Sequence, residues 1–279
     1  MRLRANAKIN LTLDITGKRA DGYHLLDSIM QSVSLCDIIT VEKDNKITVL
    51  CDNGDISGES NICHKAAAKF FEATNVFGGA KISIEKHIPL AAGMGGGSAD
   101  AAAVICALDK IYQTNLSVSE LCEIALLVGA DVPFCIVGGT ARVQGIGEKI
   151  KPLPLYNGGV FLLVKRGEKL STADMYGKID SIEKIPCTTP AAVEAIESGD
   201  LEKLYKNVGN AFSLVEHNET LFDDIKATEP QAASLSGSGP TVFAIYKNLC
   251  DANRAAEELK QNGYNPIIAE PVDSGIIFE

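Results

Sequence analysis

Apolar and polar residues alternate along the first fifteen residues of the chain, which is the pattern of a β-strand with two different faces. The apolar positions are Leu3, Ala5, Ala7, Ile9, Leu11, Leu13 and Ile15. Turn-forming residues follow at 16–23, and residues 24–43 predict one or two further strands. Side chains two residues apart in a strand point the same way, so Lys8 and Asn10 are predicted to share the polar face.

Beyond these strands, the first half of the chain shows both helical and strand spacing. Apolar residues three and four apart predict helices at 60–74, from about Ser98 to Tyr112, and at 117–129. Short apolar runs predict strands at 47–50, 80–86 and 139–144. Two prolines and a glycine pair mark a candidate linker near residues 150–158.

The second half of the chain places helices between strands without a regular alternation. Strands are predicted at 160–165, 241–246 and 265–271, with helices within 190–227 and at 249–263. Strands, then helices, then strands with one interposed helix indicate an α+β protein. We expect two domains, residues 1–155 and 156–279.

Composition limits the class of protein further. The chain has 279 residues, 46% hydrophobic composition and a net charge of −10, so it offers no general attraction to nucleic acid or to an acidic membrane surface. No apolar run approaches the roughly 18 residues of a membrane span. Eight cysteines occur without a pair at zinc-binding spacing, which is typical of reduced thiols in a cytosolic protein. We therefore expect a cytoplasmic protein, without nucleic-acid or membrane partners.

The most distinctive segment is the glycine-rich stretch PLAAGMGGGSADAAAV at residues 89–104. A helix that begins after several glycines offers free backbone N–H groups and the positive end of its dipole, and phosphate groups bind to such sites. No Gly-Lys-Ser or Gly-Lys-Thr follows, and Ser98 stands where a dinucleotide fingerprint needs glycine or alanine. The stretch predicts phosphate binding, with a tightly packed connection as the alternative.

The segment KHIPLAAGMGGGSADAAA resembles the Pro-x-x-x-Gly-Leu-x-x-Gly-Ser-Ser-Ala signature of the GHMP kinases. Two more stretches, AKINLTLDITGKRADGYHLLDSIMQS and GADVPFC, resemble the members that phosphorylate a cytidine-diphosphate-linked methylerythritol. With LSGSGPTVFAIY at 235–246, the motifs follow the family order across nearly the whole chain. Met94 and Ala99 depart from the signature, and Ala99 removes one hydroxyl that could bind phosphate or metal.

This resemblance implies an N-terminal domain like ribosomal protein S5 domain 2 and a C-terminal ferredoxin-like domain, with ATP and Mg²⁺ bound in the cleft between them. Ser98 is the implied metal ligand, although its alternative role is a helix cap. Asn61 and Lys86 are expected near the adenine or the phosphates, and the turn at 236–240 is expected to pack on the glycine loop. The loop residues expected to bind ATP are Pro89, Leu90, Ala91, Ala92, Gly93, Met94, Gly95, Gly96, Gly97, Ser98 and Ala99.

Asp131 and Lys8 are the expected catalytic pair. A carboxylate can take the proton of an acceptor hydroxyl, and a neighbouring cation stabilises the charge of the transferred group. The residues alone leave other roles open, since Asp131 suits a turn or a helix cap and Lys8 suits a solvated strand face. The family resemblance favours the catalytic roles. Asn10 lies two residues on from Lys8 and shares its strand face, so we expect it to orient the substrate.

For the acceptor, the resemblance implies that His24 recognises a cytosine ring and that Tyr23 stacks on it. The alternative is that Tyr23 is an ordinary hairpin residue and that His24 is an exposed surface histidine. Thr172 and Tyr176 are expected to contact the same substrate, although the segment before them, VKRGEKLST, departs from the family form.

The expected activity is transfer of the γ-phosphate of ATP to the 2-hydroxyl of the cytidine-diphosphate-linked methylerythritol, a step of the non-mevalonate isoprenoid pathway. Two alternatives stay open. One is another GHMP kinase of the mevalonate or homoserine type, and the other is a catalytically inactive nucleotide-binding regulator. The partners are then small molecules, and the protein is a monomer or a homodimer.

Overall fold

The protein, described from a computed structural model over residues 1–167, 171–183, 185–215 and 219–279, contains two β-sheets with helices packed on them. The strands in this part of the chain are β1 (Arg2–Lys18), β2 (His24–Asp44), β3 (Thr48–Cys51), β4 (Gly79–Glu85), β5 (Thr140–Gly145), β6 (Lys149–Pro152), β7 (Val160–Lys165), β8 (Gly209–Asn210), β9 (Ala232–Leu235), β10 (Thr241–Tyr246), β11 (Ile267–Ala269) and β12 (Ile276–Phe278). The helices are α1 (Ile62–Thr74), α2 (Gly96–Tyr112), α3 (Val118–Val128), α4 (Val132–Val137), α5 (Thr172–Ile179), α6 (Thr189–Ser198), α7 (Leu201–Lys206), α8 (Glu219–Ala227) and α9 (Leu249–Gln261).

The first sheet has the order β12-β1-β2-β4-β3, with β5 and β6 extending from β2 and β8 pairing with β1. Strands β1 and β2 form a long antiparallel pair at its centre. Helices α1 to α4 pack against this sheet, and the alanine-rich face of α2 is buried in its core. The small alanine side chains allow α2 to lie close to the strands that carry the cleft residues.

Strand β1 confirms the predicted strand, but its polar face is not solvated. Lys8 is only 3% exposed and Asn10 is fully buried, because the start of α2 and the second sheet cover that face. The register between β1 and β2 shifts between Asn6 and Lys8 and again between Asn10 and Thr12. Irregularities of this kind redirect side chains, and they flank the two polar residues that line the cleft.

The second sheet is antiparallel, with the order β11-β7-β10-β9. Helices α6 and α7 contribute to the core on one side of it, and α8 and α9 to the core on the other. The strands at 160–165 and 241–246 and the helix at 249–263 agree with the predicted elements. The predicted breaks in the helical region near residues 197–200 and 208–209 also occur.

Local signals in the sequence explain where several helices begin. The side chain of Asn61 accepts a hydrogen bond from the backbone N–H of Cys63 at the start of α1. Ser117 and Glu120 form the predicted capping box of α3. Helices α4 and α5 were not predicted, because each is short and α4 starts with a proline-containing segment that reads as a turn.

The chain returns to the first sheet at its end, since β12 pairs with β1. A division at residues 155 and 156 follows the two sheets except for β8 and this last strand, which both pair with β1. All eight cysteines are free thiols. No helix in the described residues combines the length and apolar character that crossing a membrane requires.

Candidate active site

A cleft of about 960 Å³ lies between the two sheets, and the glycine-rich segment forms much of its wall. Residues 89–98 of this segment all line the cleft. They connect the end of β4 to the start of α2, where the helix offers its N-terminal N–H groups. The loop also contacts the second sheet, because Lys165 on β7 donates a hydrogen bond to the carbonyl of Leu90 at 2.6 Å.

Two of the loop glycines are required by close approaches of the backbone. A Cβ on Gly93 would lie 2.3 Å from the carbonyl oxygen of Ser236, and a Cβ on Gly95 would lie 2.9 Å from Cγ of Lys8. Both glycines also adopt positive φ angles, 76° and 70°. The alternative interpretation of a tightly packed connection is therefore confirmed for these two positions, and it leaves the prediction of phosphate binding open, since the same missing side chains would serve both.

The N-terminus of α2 is open to a ligand. Gly95 is its N-cap residue and provides no side-chain cap, whereas many helices satisfy their first N–H groups with the side chain at this position. Ser98 lies in the first turn and lines the cleft, and it is not the N-cap residue. The turn at residues 236–240 packs on the loop as predicted, with the Ser236 hydroxyl donating to the Gly93 carbonyl at 3.0 Å.

Lys8 and Asp131 meet at the floor of the cleft. Nζ of Lys8 lies 3.3 Å from Oδ2 of Asp131, and the exposed fractions of the two side chains are 4% and 36%. Asp131 occupies the N-cap position of α4, but its side chain makes no capping hydrogen bond. The carboxylate is therefore paired with the lysine instead of the helix, and one of its sides faces the open cleft.

The Asn10 amide is occupied by protein groups. Its oxygen accepts hydrogen bonds from Nζ of Lys8 at 2.8 Å and from the backbone N–H of Gly237 at 3.0 Å, and its nitrogen donates to Ser28 at 2.9 Å. The backbone N–H of Lys8 donates to the Met94 carbonyl at 3.0 Å. These contacts fix the lysine relative to the glycine loop and to the second sheet.

The residues expected at the nucleotide end lie in three different environments. Asn61 caps α1, and its amide nitrogen donates to the carbonyl of Ile56 at 2.7 Å. Ala99 is fully buried in the core under the loop. Lys86 lines the cleft, but its ammonium group is held by the carboxylates of Asp37 and Asp100.

At the opposite end of the cleft, His24 is held by two residues of α5 and its C-terminal cap. Its ring stacks on Tyr176 with centroids 4.4 Å apart, and its Nε2 lies 2.7 Å from Oδ1 of Asp180. Lys18 binds the other oxygen of Asp180 at 2.6 Å. Hydrogen bonds from Lys18 and His24 lower the pKa of Asp180, so this carboxyl is ionised at neutral pH.

The remaining acceptor residues have different surroundings. Tyr23 is 62% exposed at the rim of the cleft, which leaves a face of its ring free. Tyr176 packs edge-on against Phe212, and burial raises its pKa to about 12. Thr172 begins α5, but its side chain lies outside the described part of the structure.

Sequence reasoning did not find Asp180, Ser28 or the two carboxylates that hold Lys86. Their partners are distant in the chain: Asp180 is 156 residues from His24, and Asp37 is 49 residues from Lys86. No spacing pattern links such pairs, so only tertiary packing brings them together. A phosphate-binding loop that faces a lysine and carboxylate pair is the arrangement of a phosphoryl-transfer enzyme.

Comparison with known proteins agrees with this class. The sequence model of the GHMP kinases N terminal domain matches residues 61–139, and that of the GHMP kinases C terminal domain matches residues 192–265. A 4-diphosphocytidyl-2-C-methyl-D-erythritol kinase of Clostridium perfringens (strain 13 / Type A) is 42% identical over 270 residues, which is 93% of each chain. A protein of the same name from Thermoanaerobacter pseudethanolicus is 39% identical and covers 99% of this chain and 98% of its own.

Solved structures extend the comparison to three dimensions. A crystal structure of 4-(cytidine 5'-diphospho)-2C-methyl-D-erythritol kinase matches with a TM-score of 0.76 and 32% identity, over 96% of this chain and 99% of that chain. A homoserine kinase from Cytophaga hutchinsonii has a TM-score of 0.81 at 16% identity, over 99% of this chain and 96% of that chain. Kinases named for different acceptors thus share this fold, so the fold by itself does not identify the acceptor.

The chain therefore belongs to the GHMP kinases, and within them to the group of 4-diphosphocytidyl-2-C-methyl-D-erythritol kinases. The two-domain fold and the kinase class predicted from the sequence are confirmed.

Proposed function

We propose that this protein transfers the γ-phosphate of ATP to the 2-hydroxyl of 4-diphosphocytidyl-2-C-methyl-D-erythritol, with Lys8 and Asp131 at the reacting atoms. The observation that carries the proposal is the 3.3 Å contact between these two side chains, directly beside the glycine loop. A regulator that only bound nucleotide would have no need for a buried lysine paired with a half-exposed carboxylate. The pair therefore favours an enzyme.

Asp131 acts as the general base in this mechanism. Its carboxylate accepts the proton of the acceptor hydroxyl as the hydroxyl attacks the γ-phosphorus. Lys8 lies next to it and stabilises the negative charge on the phosphoryl group during transfer. Asn10 holds Nζ of Lys8 at 2.8 Å, so it acts as a positioning residue for the lysine.

The phosphates of ATP occupy the loop, where the open N–H groups at the start of α2 bind their oxygens. Residues 89–98 provide the wall, and the positive end of the helix dipole complements the negative charge. The net charge of the chain is −10, so this local positive potential is what attracts the nucleotide.

The described residues offer few side-chain oxygen donors for Mg²⁺ in the cleft. The described residues contain no cluster of three or more histidine, cysteine, aspartate or glutamate side chains that could hold a metal. Mg²⁺ commonly keeps several waters and binds substrate phosphates together with one or two protein oxygens. Ser98 in the first turn of α2 and Asp131 are the oxygen donors that would hold it, and it would neutralise phosphate charge.

The cytosine ring of the acceptor binds at the end of the cleft formed by Tyr23, His24 and Tyr176. The exposed ring of Tyr23 offers a stacking face, and the position of His24 is fixed by Asp180 and Tyr176. Mevalonate, homoserine and galactose carry no base, so these aromatic groups would contribute nothing to their binding. The acceptor end therefore supports the cytidine-containing substrate.

A coupled assay of ADP release tests the proposed function. The purified protein is supplied with ATP and Mg²⁺ and with each of four acceptors: the cytidylylated methylerythritol, mevalonate, homoserine and galactose. We expect turnover with the first acceptor alone. Equal or faster turnover of another acceptor would assign a different GHMP activity, and no turnover of any acceptor despite nucleotide binding would support the regulator.

A further inference from the structure

Lys86 is the centre of a buried ion-pair network under the glycine loop. Its ammonium group contacts the carboxylates of Asp37 and Asp100, the latter at 2.8 Å. The exposed fractions of the Lys86, Asp37 and Asp100 side chains are 8%, 0% and 5%. Charged groups buried this deeply are costly unless each has a partner, so the three side chains depend on one another.

The network joins the two chain segments that flank the loop. Asp37 on β2 also accepts hydrogen bonds from the backbone N–H groups of His87 at 2.6 Å and Ile88 at 2.8 Å. These residues lead from β4 into the loop, whereas Asp100 lies in the first turns of α2, which leads out of it. Lys86 thus connects the entry of the loop, the central sheet and the phosphate-facing helix.

The loop backbone packs directly on this network. A Cβ on Gly96 would lie 3.0 Å from Cγ2 of Ile88 and 3.3 Å from Nζ of Lys86. Gly96 is the first residue of α2, where the free N–H groups are found. A shift of the Lys86 ammonium would therefore displace the backbone that faces the phosphates.

The positive charge of Lys86 is already matched within the network. Two acidic side chains, those of Asp37 and Asp100, are buried against one ammonium group. The Lys86 side chain is itself only 8% exposed. Lys86 therefore has no unbalanced charge to offer a phosphate.

We propose that Asp37, Lys86 and Asp100 position the glycine loop for the nucleotide, and that Lys86 acts through the loop backbone without contacting the phosphates. This inference rests on the proposed function, since it concerns the nucleotide end of that site. It also revises the expectation, drawn from the sequence, that Lys86 binds ATP directly. All three side chains are positioning residues.

The test compares three substitutions in the network with one outside it. Asp100→Ala removes a partner of Lys86, Asp100→Asn keeps a neutral acceptor of the same shape, and Lys86→Met removes the cation. Lys81→Met is the matched control, because Lys81 lies on β4, the strand that directly precedes Lys86, with its side chain 49% exposed. For each variant we would measure KM for ATP, KM for the acceptor, affinity for a fluorescent ATP analogue, and the thermal unfolding midpoint.

We expect Asp100→Ala and Lys86→Met to weaken nucleotide binding by about ten-fold, with KM for the acceptor changed less than about two-fold. Asp100→Asn should recover most of the affinity that Asp100→Ala loses, because its amide oxygen still accepts the hydrogen bond of the Lys86 ammonium, which lies 2.8 Å from Oδ2 of Asp100. If Lys86 instead contacts the phosphates, Asp100→Ala frees its charge and nucleotide binding becomes unchanged or tighter. That result would overturn the proposal.

Two further outcomes are informative. Equal increases in KM for ATP and in KM for the acceptor, together with a lower unfolding midpoint, would indicate a general structural role and would also overturn the proposal. Measurements on the wild-type protein distinguish failure of the positioning role from failure of the proposed function, because ATP-analogue binding and acceptor turnover of the wild type are measured in the same experiment. If the wild type shows both and Asp100→Ala behaves like Lys81→Met, only the positioning role fails.

Discussion

The nucleotide end and the acceptor end of the cleft are built in different ways. The proposed nucleotide end comes from one continuous segment, residues 89–98, which presents backbone groups at the start of α2. The acceptor end is assembled from the β1 to β2 turn and from α5, with side chains more than 150 residues apart in contact. The nucleotide end therefore depends on one local segment, whereas the acceptor end depends on side chains that only the tertiary structure brings together.

This comparison implies that a substitution at the nucleotide end should change the kinetic constants for ATP, and that a substitution at the acceptor end should change KM for the acceptor. The chemistry belongs to neither end, because Lys8 and Asp131 lie between them. The following changes are ordered from the largest expected effect to the smallest.

Asp131→Asn should have the largest effect, because it removes the base and leaves both binding ends intact. We expect kcat to fall by about 10²- to 10⁴-fold, the range of general acid–base catalysis, with affinity for ATP nearly unchanged. Steady-state kinetics and equilibrium binding of an ATP analogue would measure both. Near-normal turnover would show that Asp131 is not the base.

Gly95→Ala should impair the nucleotide end and the chemistry together. The new Cβ would lie 2.9 Å from Cγ of Lys8 at a φ of 70°, so the side chain displaces the lysine and strains the loop. We expect kcat/KM for ATP to fall by roughly 10- to 100-fold, the equivalent of about 1.4 to 2.7 kcal/mol.

The control for this change is Gly54→Ala, which meets nothing within 4 Å and lies at an ordinary φ. Kinetic constants of the control should match the wild type. If Gly95→Ala matches it too, the close contact between the loop and Lys8 has no functional role.

Tyr176→Ala should affect the acceptor end alone. Tyr176 stacks on His24 at the proposed cytosine site. Loss of its ring should raise KM for the cytidylylated acceptor by about ten-fold, within the range of stacking between a nucleobase and an aromatic side chain. KM for ATP should stay within about two-fold. Tyr176→Phe keeps the ring and should behave like the wild type, whereas a parallel change in both KM values would contradict the separation of the two ends.

The smallest effect concerns stability at the nucleotide end. The pKa of Asp100 is raised to about 8 by burial, with Lys86, Asp37 and the thiols of Cys63 and Cys135 nearby. Between pH 5 and 8 the unfolded chain has lost this proton and the folded protein keeps it, so stability falls as pH rises. We expect the free energy of unfolding, measured with urea, to decrease over this pH range.

Asp100→Asn cannot titrate, so its unfolding free energy should change less over the same pH range. Identical pH dependence in the variant and the wild type would show that Asp100 does not hold the proton. The exposed ion pairs of the protein contribute little here, because solvent screens them.

The sequence predicted most elements of the fold because their signals are local. The alternation of β1, the capping box at Ser117 and the glycine loop each depend on neighbouring residues, and each appears where it was expected. Helix α4 escaped prediction because six residues after Asp131 are too few to show helical spacing. The family motifs selected Lys8 and Asp131, and the structure brings these two residues together.

What the sequence alone determined about this protein is therefore the strand that carries Lys8, the bare backbone of residues 93–97, and the family to which the chain belongs. These features follow from residue spacing and from the absence of side chains, which are properties of short segments. Only the tertiary structure decided that Lys8 is buried, that Asp180 holds His24, and that Lys86 is neutralised by two carboxylates. Burial and charge pairing arise between segments far apart in the chain, and no local pattern records which of them will meet.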